Sequence, residues 1–114
     1  DNGNMVELII ANNDDMALGA VNALQNAGYN NGEEGAKTIP VFGVDATETA
    51  QELIASGYIT GTIKQDAEGM AYAITTITKN MIEGKDKFEG LNEAYVIVDG
   101  WKAAIPYSPF TGAE

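Results

Sequence analysis

Short apolar runs alternate with longer amphipathic segments along the first three-quarters of the chain. The apolar runs have the length and composition of strands and lie at residues 6–11, 39–44 and 58–63. The run 6–11 is nearly all apolar, which is typical of a strand covered on both faces. The amphipathic segments predict helices over residues 14–27, 47–56 and 66–83.

The last quarter of the chain does not continue the alternation of strands and helices. Two apolar runs flank Asp99 and Gly100, a pair that readily supplies the positive φ angles of a two-residue hairpin turn. The predicted order is therefore β-α-β-α-β-α followed by a hairpin. Such alternation indicates an α/β fold in which a parallel sheet carries helices on its faces. Within the third helix, the apolar residues that we expect to share one face are Met70, Ala73, Ile74, Ile77 and Met81.

Composition narrows the classes of function. The 114 residues carry 17 acidic side chains against 6 basic ones, a net charge of −11, which disfavours nucleic acid and anionic membranes as partners. The sequence contains no cysteine and no histidine, so it lacks a thiol nucleophile and the commonest general base. No apolar run is long enough to insert into a membrane. We therefore expect a binding protein without enzymatic activity and without a cofactor of its own.

Polar side chains follow each predicted strand. Asn13 and Asp14 come after the first strand, Asp45 after the second, and Gln65 and Asp66 after the third. Ligands of parallel sheets sit at the carboxyl ends of the strands, and amides and carboxylates suit polyhydroxylated ligands. The same residue types are preferred helix N-caps. The residues alone leave both interpretations open.

The stretch "VELIIANNDDMALGAVNAL…IPVFGVDATETAQELIASGYITGTIKQDAEGMA" resembles the C-terminal part of bacterial sugar-binding proteins of ABC transporters. The similarity is to the glucose/galactose-binding branch of the type I periplasmic binding proteins. It extends through "NMIEGK" to the closing "IPYSPF" and so covers nearly the whole chain. Members of this family fold as two α/β lobes that close over a monosaccharide.

The resemblance implies roles for four residues. Asn13 and Asp45 match sugar ligands contributed by one lobe, and Gln65 matches a third sugar ligand that is normally asparagine. Glu7 matches a carboxylate of the family's calcium site. The other calcium ligands would come from a part of the family's sequence that this chain does not contain, so we expect calcium only in a full-length parent protein.

The resemblance also implies how the chain divides. Residues 1–63 match the second half of the C-terminal lobe, residues 66–100 a segment of the N-terminal lobe, and residues 103–114 a return to the C-terminal lobe. The chain is accordingly interpreted as a C-terminal fragment. Pieces of both lobes would expose apolar surface, which a homodimer of the fragment could cover.

Two functions compete at this point. The first is the solute-binding component of an ABC sugar transporter, which delivers glucose or galactose to a permease or presents the sugar to a chemoreceptor. Such a protein is extracytoplasmic, in the periplasm or as a cell-surface lipoprotein. The alternative is the effector-binding domain of a LacI-type transcriptional repressor, which has the same lobe architecture. The phrase "SGYITGTIKQD" and the acidic charge favour the transporter.

Overall fold

A computed structural model describes residues 5–112 of the chain. Its helices and strands follow in the order β1 (Ile9–Ile10), α1 (Asp14–Asn26), β2 (Val41–Asp45), α2 (Glu48–Ala55), β3 (Gly61–Lys64), α3 (Ala67–Glu83), β4 (Val96–Val98), β5 (Lys102–Ala104) and β6 (Ser108–Phe110). The predicted alternation of strands and helices, and the hairpin after it, are confirmed.

The described residues form two compact units. The first contains the chain up to Lys64 together with the stretch from Ser108 onward, and the second runs from Gln65 to Tyr107. The sequence-based division proposed the segments 1–63, 66–100 and 103–114 for two lobes of a parent protein. That assignment to lobes stays a prediction, and residues 1–4 and 113–114 of it lie outside the described residues.

The first unit is built on a four-stranded sheet in the order β1-β2-β3-β6. β1, β2 and β3 run parallel, with Ile10 opposite Phe42 and Asp45 opposite Lys64. β6 joins antiparallel to β3, with Pro109 opposite Ile63. The sheet is therefore parallel through its three sequence-predicted strands, and the final strand, which the apolar pattern did not indicate, pairs with it in the opposite direction.

The core of the first unit lies between this sheet and the helices α1 and α2. Its fully or nearly fully buried members come from both helices and from the sheet side: Ala17, Val21, Val41, Ile54 and Ile59. Alternate residues of a strand point to opposite faces, so the buried Val41 and Gly43 mark the helix-covered face of β2. Phe42 and Val44, on the other face, are half-buried.

The first strand is much shorter than its apolar run. The pattern predicted a strand over residues 6–11 covered on both faces, whereas β1 contains only Ile9 and Ile10. Ile10 is 76% exposed and Val6 is 54% exposed. β1 is an edge strand, and β2 is its only partner among the described strands. Apolar composition alone could not distinguish a central strand from this edge position.

Asn30 is 2% exposed, and its side chain connects distant segments of the first unit through hydrogen bonds. Its side-chain amide donates to the carbonyl oxygens of Ile39 (2.8 Å) and Tyr58 (3.2 Å), and its Oδ1 accepts from the Ile39 amide at 2.8 Å. Its φ of +46° is a conformation that asparagine tolerates better than most residues. One side chain thus joins the loop after α1 to the residues that lead into β2 and β3.

The second unit contains α3 and the β4–β5 hairpin. The residues of α3 that are buried are Gly69, Ala73 and Asn80, which recur at helical spacing on one face. Asn80 donates to the carbonyl oxygens of Lys87 and Glu89, and the Tyr72 hydroxyl donates to Gly90. The polar connection after α3 therefore folds back along the helix.

The predicted apolar face of α3 is buried only in part in this unit. Ala73 is 4% exposed, whereas Ile74 and Met81 are 67% and 65% exposed and Met70 is 39% exposed. The connection after α3 packs on the face of Ala73 and Asn80, because Asn80 donates hydrogen bonds to carbonyl groups of that connection.

Within residues 5–112, no helix is long and apolar enough to cross a membrane.

The hairpin turn differs slightly from the two-residue turn that was predicted. Asp99 and Gly100 have the expected positive φ angles, +51° and +67°, and the Trp101 amide donates to the Val98 carbonyl at 3.2 Å. The strands, however, pair Val98 with Lys102. Trp101 is thus a third connecting residue, and the turn residues were identified correctly while the register was not.

Replacing Asn30 with alanine should lower the free energy of unfolding of the chain by about 2–4 kcal/mol, since the buried amide and carbonyl of Ile39 and the part-buried carbonyl of Tyr58 would lose their partner. Urea denaturation followed by circular dichroism measures the change. The matched control is Asn22→Ala on the exposed side of α1, which should change stability by less than about 1 kcal/mol. Equal stability of the two variants would contradict the role given to Asn30.

Candidate functional site

The carboxyl ends of β1 and β2 lie at the same edge of the sheet, because the two strands are adjacent and parallel. The Ala11 amide extends the pairing by donating to the Phe42 carbonyl at 2.8 Å. Asn13 follows β1 at this edge, and Asp45 is the last residue of β2. The structure therefore brings two of the three predicted sugar-contacting residues to one edge of one unit.

Asn13 is the N-cap of α1. Its Oδ1 accepts a hydrogen bond from the Met16 amide at 2.9 Å, and its backbone is extended, with φ −152° and ψ 173°. The capping interpretation of Asn13 is therefore confirmed. The cap uses only the carbonyl oxygen of the side chain, so the Nδ2 group of the same amide is not required by the helix. Capping and ligand binding are compatible for this residue.

Asp45 does not cap α2, contrary to one interpretation of the sequence. The N-cap is Thr47, whose hydroxyl accepts from the Ala50 amide at 3.3 Å. Asp45 is exposed and has a φ of +119°, and Ala46 after it has a φ of +56°. Two consecutive residues other than glycine with positive φ are costly and persist only where surrounding contacts hold them. The connection that runs from the last residue of β2 to the N-cap of α2, residues 45–47, therefore has an enforced conformation and is called the loop below.

Asp14 holds this loop in place. It is the first residue of α1 and is 2% exposed. Its Oδ2 accepts from the Thr47 amide at 2.8 Å, and its Oδ1 accepts from the Thr62 hydroxyl at 2.6 Å. Thr62 Oγ1 in turn accepts from the Ala46 amide at 3.4 Å. The sequence grouped Asp14 with the possible caps, and nothing in its local pattern indicated these distant partners.

The Asp14 carboxylate reaches its partners through space that Gly43 leaves open. A Cβ atom at Gly43 would collide with Asp14 Oδ1 and would lie 3.2 Å from Asp14 Cα and 3.3 Å from Ala17 Cβ. The glycine is therefore required by the close approach of α1 to β2 rather than by a turn. Its position in the middle of β2 was the one sequence signal of this arrangement.

Gln65 directly follows β3 and is the first residue of the second unit. Its predicted contact with a sugar stays a prediction. Asp66, the next residue, is the N-cap of α3, and its Oδ1 accepts from the Gly69 amide at 2.9 Å. The capping interpretation is therefore confirmed for Asp66. Tyr95 packs at the same end of α3, where its hydroxyl lies beside Gly69.

Glu7 lies before β1 and is exposed. Calcium requires six to eight oxygen ligands, so a single carboxylate cannot hold it. Among residues 5–112, no group of three or more acidic side chains is close enough to hold a metal ion. The residues described here do not fit a calcium site, and the calcium role of Glu7 in a longer protein that supplies further ligands stays a prediction.

Comparison with known proteins identifies the family. The sequence model of the periplasmic binding protein domain matches residues 1–86, which is well over half of the chain. The chain belongs to the periplasmic binding protein family. This confirms the resemblance seen in the strand-end motifs, and the parallel sheet with its helices and hairpin is consistent with part of one such protein.

Three curated relatives of this periplasmic binding protein segment are similar over part of their length. The D-galactose/methyl-galactoside binding periplasmic protein of Haemophilus influenzae is 39% identical over 76% of this chain and 24% of its own length. A protein designated rhizopine-binding in Rhizobium meliloti is 38% identical over 55% of this chain and 19% of its own. The xylitol-binding protein of Mycolicibacterium smegmatis is 30% identical over 74% of this chain and 22% of its own length. The matches thus span about a quarter or less of each relative.

Replacing Gly43 with alanine should destabilise the chain by about 1–3 kcal/mol, because the new methyl group would displace the Asp14 carboxylate from Thr47 and Thr62. Chemical denaturation measures the loss. Gly19→Ala is the matched control. That glycine lies in α1 with open space at its Cβ, so the substitution should stabilise the chain by about 0.5–1 kcal/mol. A neutral Gly43→Ala variant would contradict the tight approach of α1 to β2.

Proposed function

We propose that this chain is part of the solute-binding component of an ABC sugar transporter, and that it contributes one wall of a monosaccharide site. The observation that carries the proposal is the pair Asn13 and Asp45 at the carboxyl edge of β1 and β2. The similarity to a D-galactose/methyl-galactoside binding periplasmic protein supports it. The sugar is proposed to be galactose or glucose, bound without chemical change.

The two side chains suit adjacent sugar hydroxyl groups. A carboxylate such as Asp45 accepts hydrogen bonds from two neighbouring hydroxyls, and charged acceptors form stronger bonds than neutral ones. The Nδ2 group of Asn13 donates to a hydroxyl oxygen while its Oδ1 remains in the helix cap. In this assignment Gln65 is a third ligand from the connection after β3.

The named relatives favour a transporter over the alternative of a LacI-type repressor. Two of the three are described as proteins that bind a sugar or a sugar alcohol, and the D-galactose-binding relative is described as periplasmic. The acidic balance of the chain, −11, also disfavours nucleic acid as a partner. We therefore propose an extracytoplasmic location and an ABC permease as the protein partner. The operation is capture of the sugar between two lobes, followed by release to the permease.

Replacing Asp45 with alanine should reduce galactose affinity by about two orders of magnitude or more, because sugar hydroxyls would lose a charged acceptor. The measurement requires a complete cleft. Residues 1–86 of this chain can replace the corresponding segment of the Haemophilus influenzae D-galactose-binding protein, and calorimetry of the chimera with D-galactose then compares the variants.

Two controls accompany the Asp45 measurement. Asn13→Ser keeps an oxygen acceptor for the α1 cap but removes the amide donor, so it should weaken binding less than Asp45→Ala. Asp15→Asn changes one exposed charge in the first turn of α1 and should leave affinity unchanged. An Asp45→Ala chimera with unaltered affinity would refute the ligand assignment. An unmodified chimera that folds but does not bind galactose would refute the proposed function.

The 114-residue chain by itself should bind galactose or glucose very weakly. Asn13 and Asp45 form part of one wall, so a bound sugar would remain largely hydrated and would lack the apolar contacts usual in ligand pockets. Titration of the chain with each sugar, followed by calorimetry or by Trp101 fluorescence, tests this expectation. Micromolar or tighter affinity would show that the chain forms a complete site, for example between two copies.

A further inference from the structure

The buried Asp14 carboxylate contacts the loop that carries Asp45 rather than only its own helix. One carboxylate oxygen accepts from the Thr47 amide at 2.8 Å, and the other accepts from the Thr62 hydroxyl at 2.6 Å. Thr62 Oγ1 also receives the Ala46 amide. The backbone on the carboxyl side of Asp45 is therefore tied at two successive amides, one directly and one through Thr62.

The loop needs this restraint. Asp45 and Ala46 both have positive φ angles, +119° and +56°, which residues other than glycine rarely adopt. Backbone in such a conformation relaxes to negative φ unless neighbouring groups prevent it. The Asp14 contacts supply that restraint from the start of α1, where the helix N-terminus also favours a negative charge.

We propose that Asp14 is a positioning residue for sugar binding: its carboxylate fixes the backbone of residues 45–47 and so directs the Asp45 side chain toward the ligand. This inference rests on the proposed function, since it takes Asp45 as a sugar ligand. Asp14 itself is buried among protein donors and does not contact the sugar. The role requires two acceptor oxygens, because one oxygen of Asp14 accepts from the Thr47 amide and the other from the Thr62 hydroxyl.

Asparagine has the size of aspartate but only one acceptor oxygen. In the Asp14→Asn variant, the side-chain oxygen can accept from the Thr47 amide, but the NH2 group can only donate to Thr62 Oγ1, so the Thr62 hydroxyl hydrogen loses its acceptor. The variant therefore replaces two hydrogen bonds to a carboxylate with weaker neutral ones and loosens the restraint on the loop with little change in volume. Glutamate in place of Asp14 would keep two acceptors but is longer, and Gly43 leaves no room for the added methylene. Asparagine is the sharper test.

The first measurement uses the 114-residue chain and needs no ligand. NMR of the isotope-labelled protein gives the φ angles of Asp45 and Ala46 from the HN–Hα coupling constants and the short intra-residue HN–Hα distance at positive φ. Asp14→Asn should shift both residues away from positive φ and accelerate hydrogen exchange of the Thr47 amide. Signals of β2 and α1 distant from the loop should keep their native pattern.

The matched control is Asp15→Asn, which removes the same charge from the next, exposed position of α1. It should leave the loop angles and the Thr47 exchange rate unchanged. Thr62→Ser, which keeps the hydroxyl, should behave like the parent chain, and Thr62→Val should resemble Asp14→Asn. An Asp14→Asn chain that is less stable but keeps positive φ at Asp45 and Ala46 would overturn the positioning role.

The second measurement uses the Haemophilus influenzae chimera and D-galactose. Asp14→Asn should lower affinity by about tenfold or more, while Asp15→Asn should not. Affinity equal to that of the unmodified chimera would overturn the inference even if the loop had moved. If the unmodified chimera folds without binding galactose, the proposed function fails, yet the NMR result still decides whether Asp14 fixes the loop. The two failures are therefore distinguishable.

Discussion

A carboxylate buried at the junction of α1, β2 and β3 is the constraint on which the first unit depends. Removing an ionised group from water is expensive unless hydrogen-bond donors replace the solvent. Asp14 meets this requirement with the Thr47 amide and the Thr62 hydroxyl. Because the donors come from the N-cap of α2 and from β3, the cost of burying the charge is offset only when these parts of the chain and α1 have come together.

The local features of the fold were predictable because they depend on neighbouring residues. The predicted helix 14–27 is observed as Asp14–Asn26, and the predicted helix 66–83 as Ala67–Glu83. Asparagine and aspartate placed just before each apolar periodic segment identified the caps Asn13 and Asp66. The parallel pairing of β1 with β2 followed from the alternation of strands with helices and put Asn13 and Asp45 at one edge.

The features that escaped prediction depend on partners distant in sequence. Asn30 stood in a loop rich in glycine and asparagine, and its partners at Ile39 and Tyr58 could not be recognised from neighbouring residues. β6 contains a proline, which argues against a strand except at a sheet edge, the position that β6 occupies. The buried face of α3 was predicted only in part. Ala73 is buried as expected, but Asn80 is buried too, because it donates hydrogen bonds to a polar segment, and hydrophobic periodicity considers apolar contacts alone.

The polar cluster after β1 combines separate functions in consecutive residues. Asn13 closes the N-terminus of α1, and its cap sets where the helix begins. With the helix beginning there, Asp14 enters the space that Gly43 leaves open and reaches Thr47 and Thr62. The direction of Asp45 on one strand thus depends on a residue that follows the neighbouring strand. Ligands of parallel sheets bind at the carboxyl ends of the strands. Hydrogen bonds of this kind make the residues after one strand part of the support for the end of the neighbouring strand. A substitution that leaves Asn13 and Asp45 intact can therefore still disturb the proposed sugar site through the loop that carries Asp45.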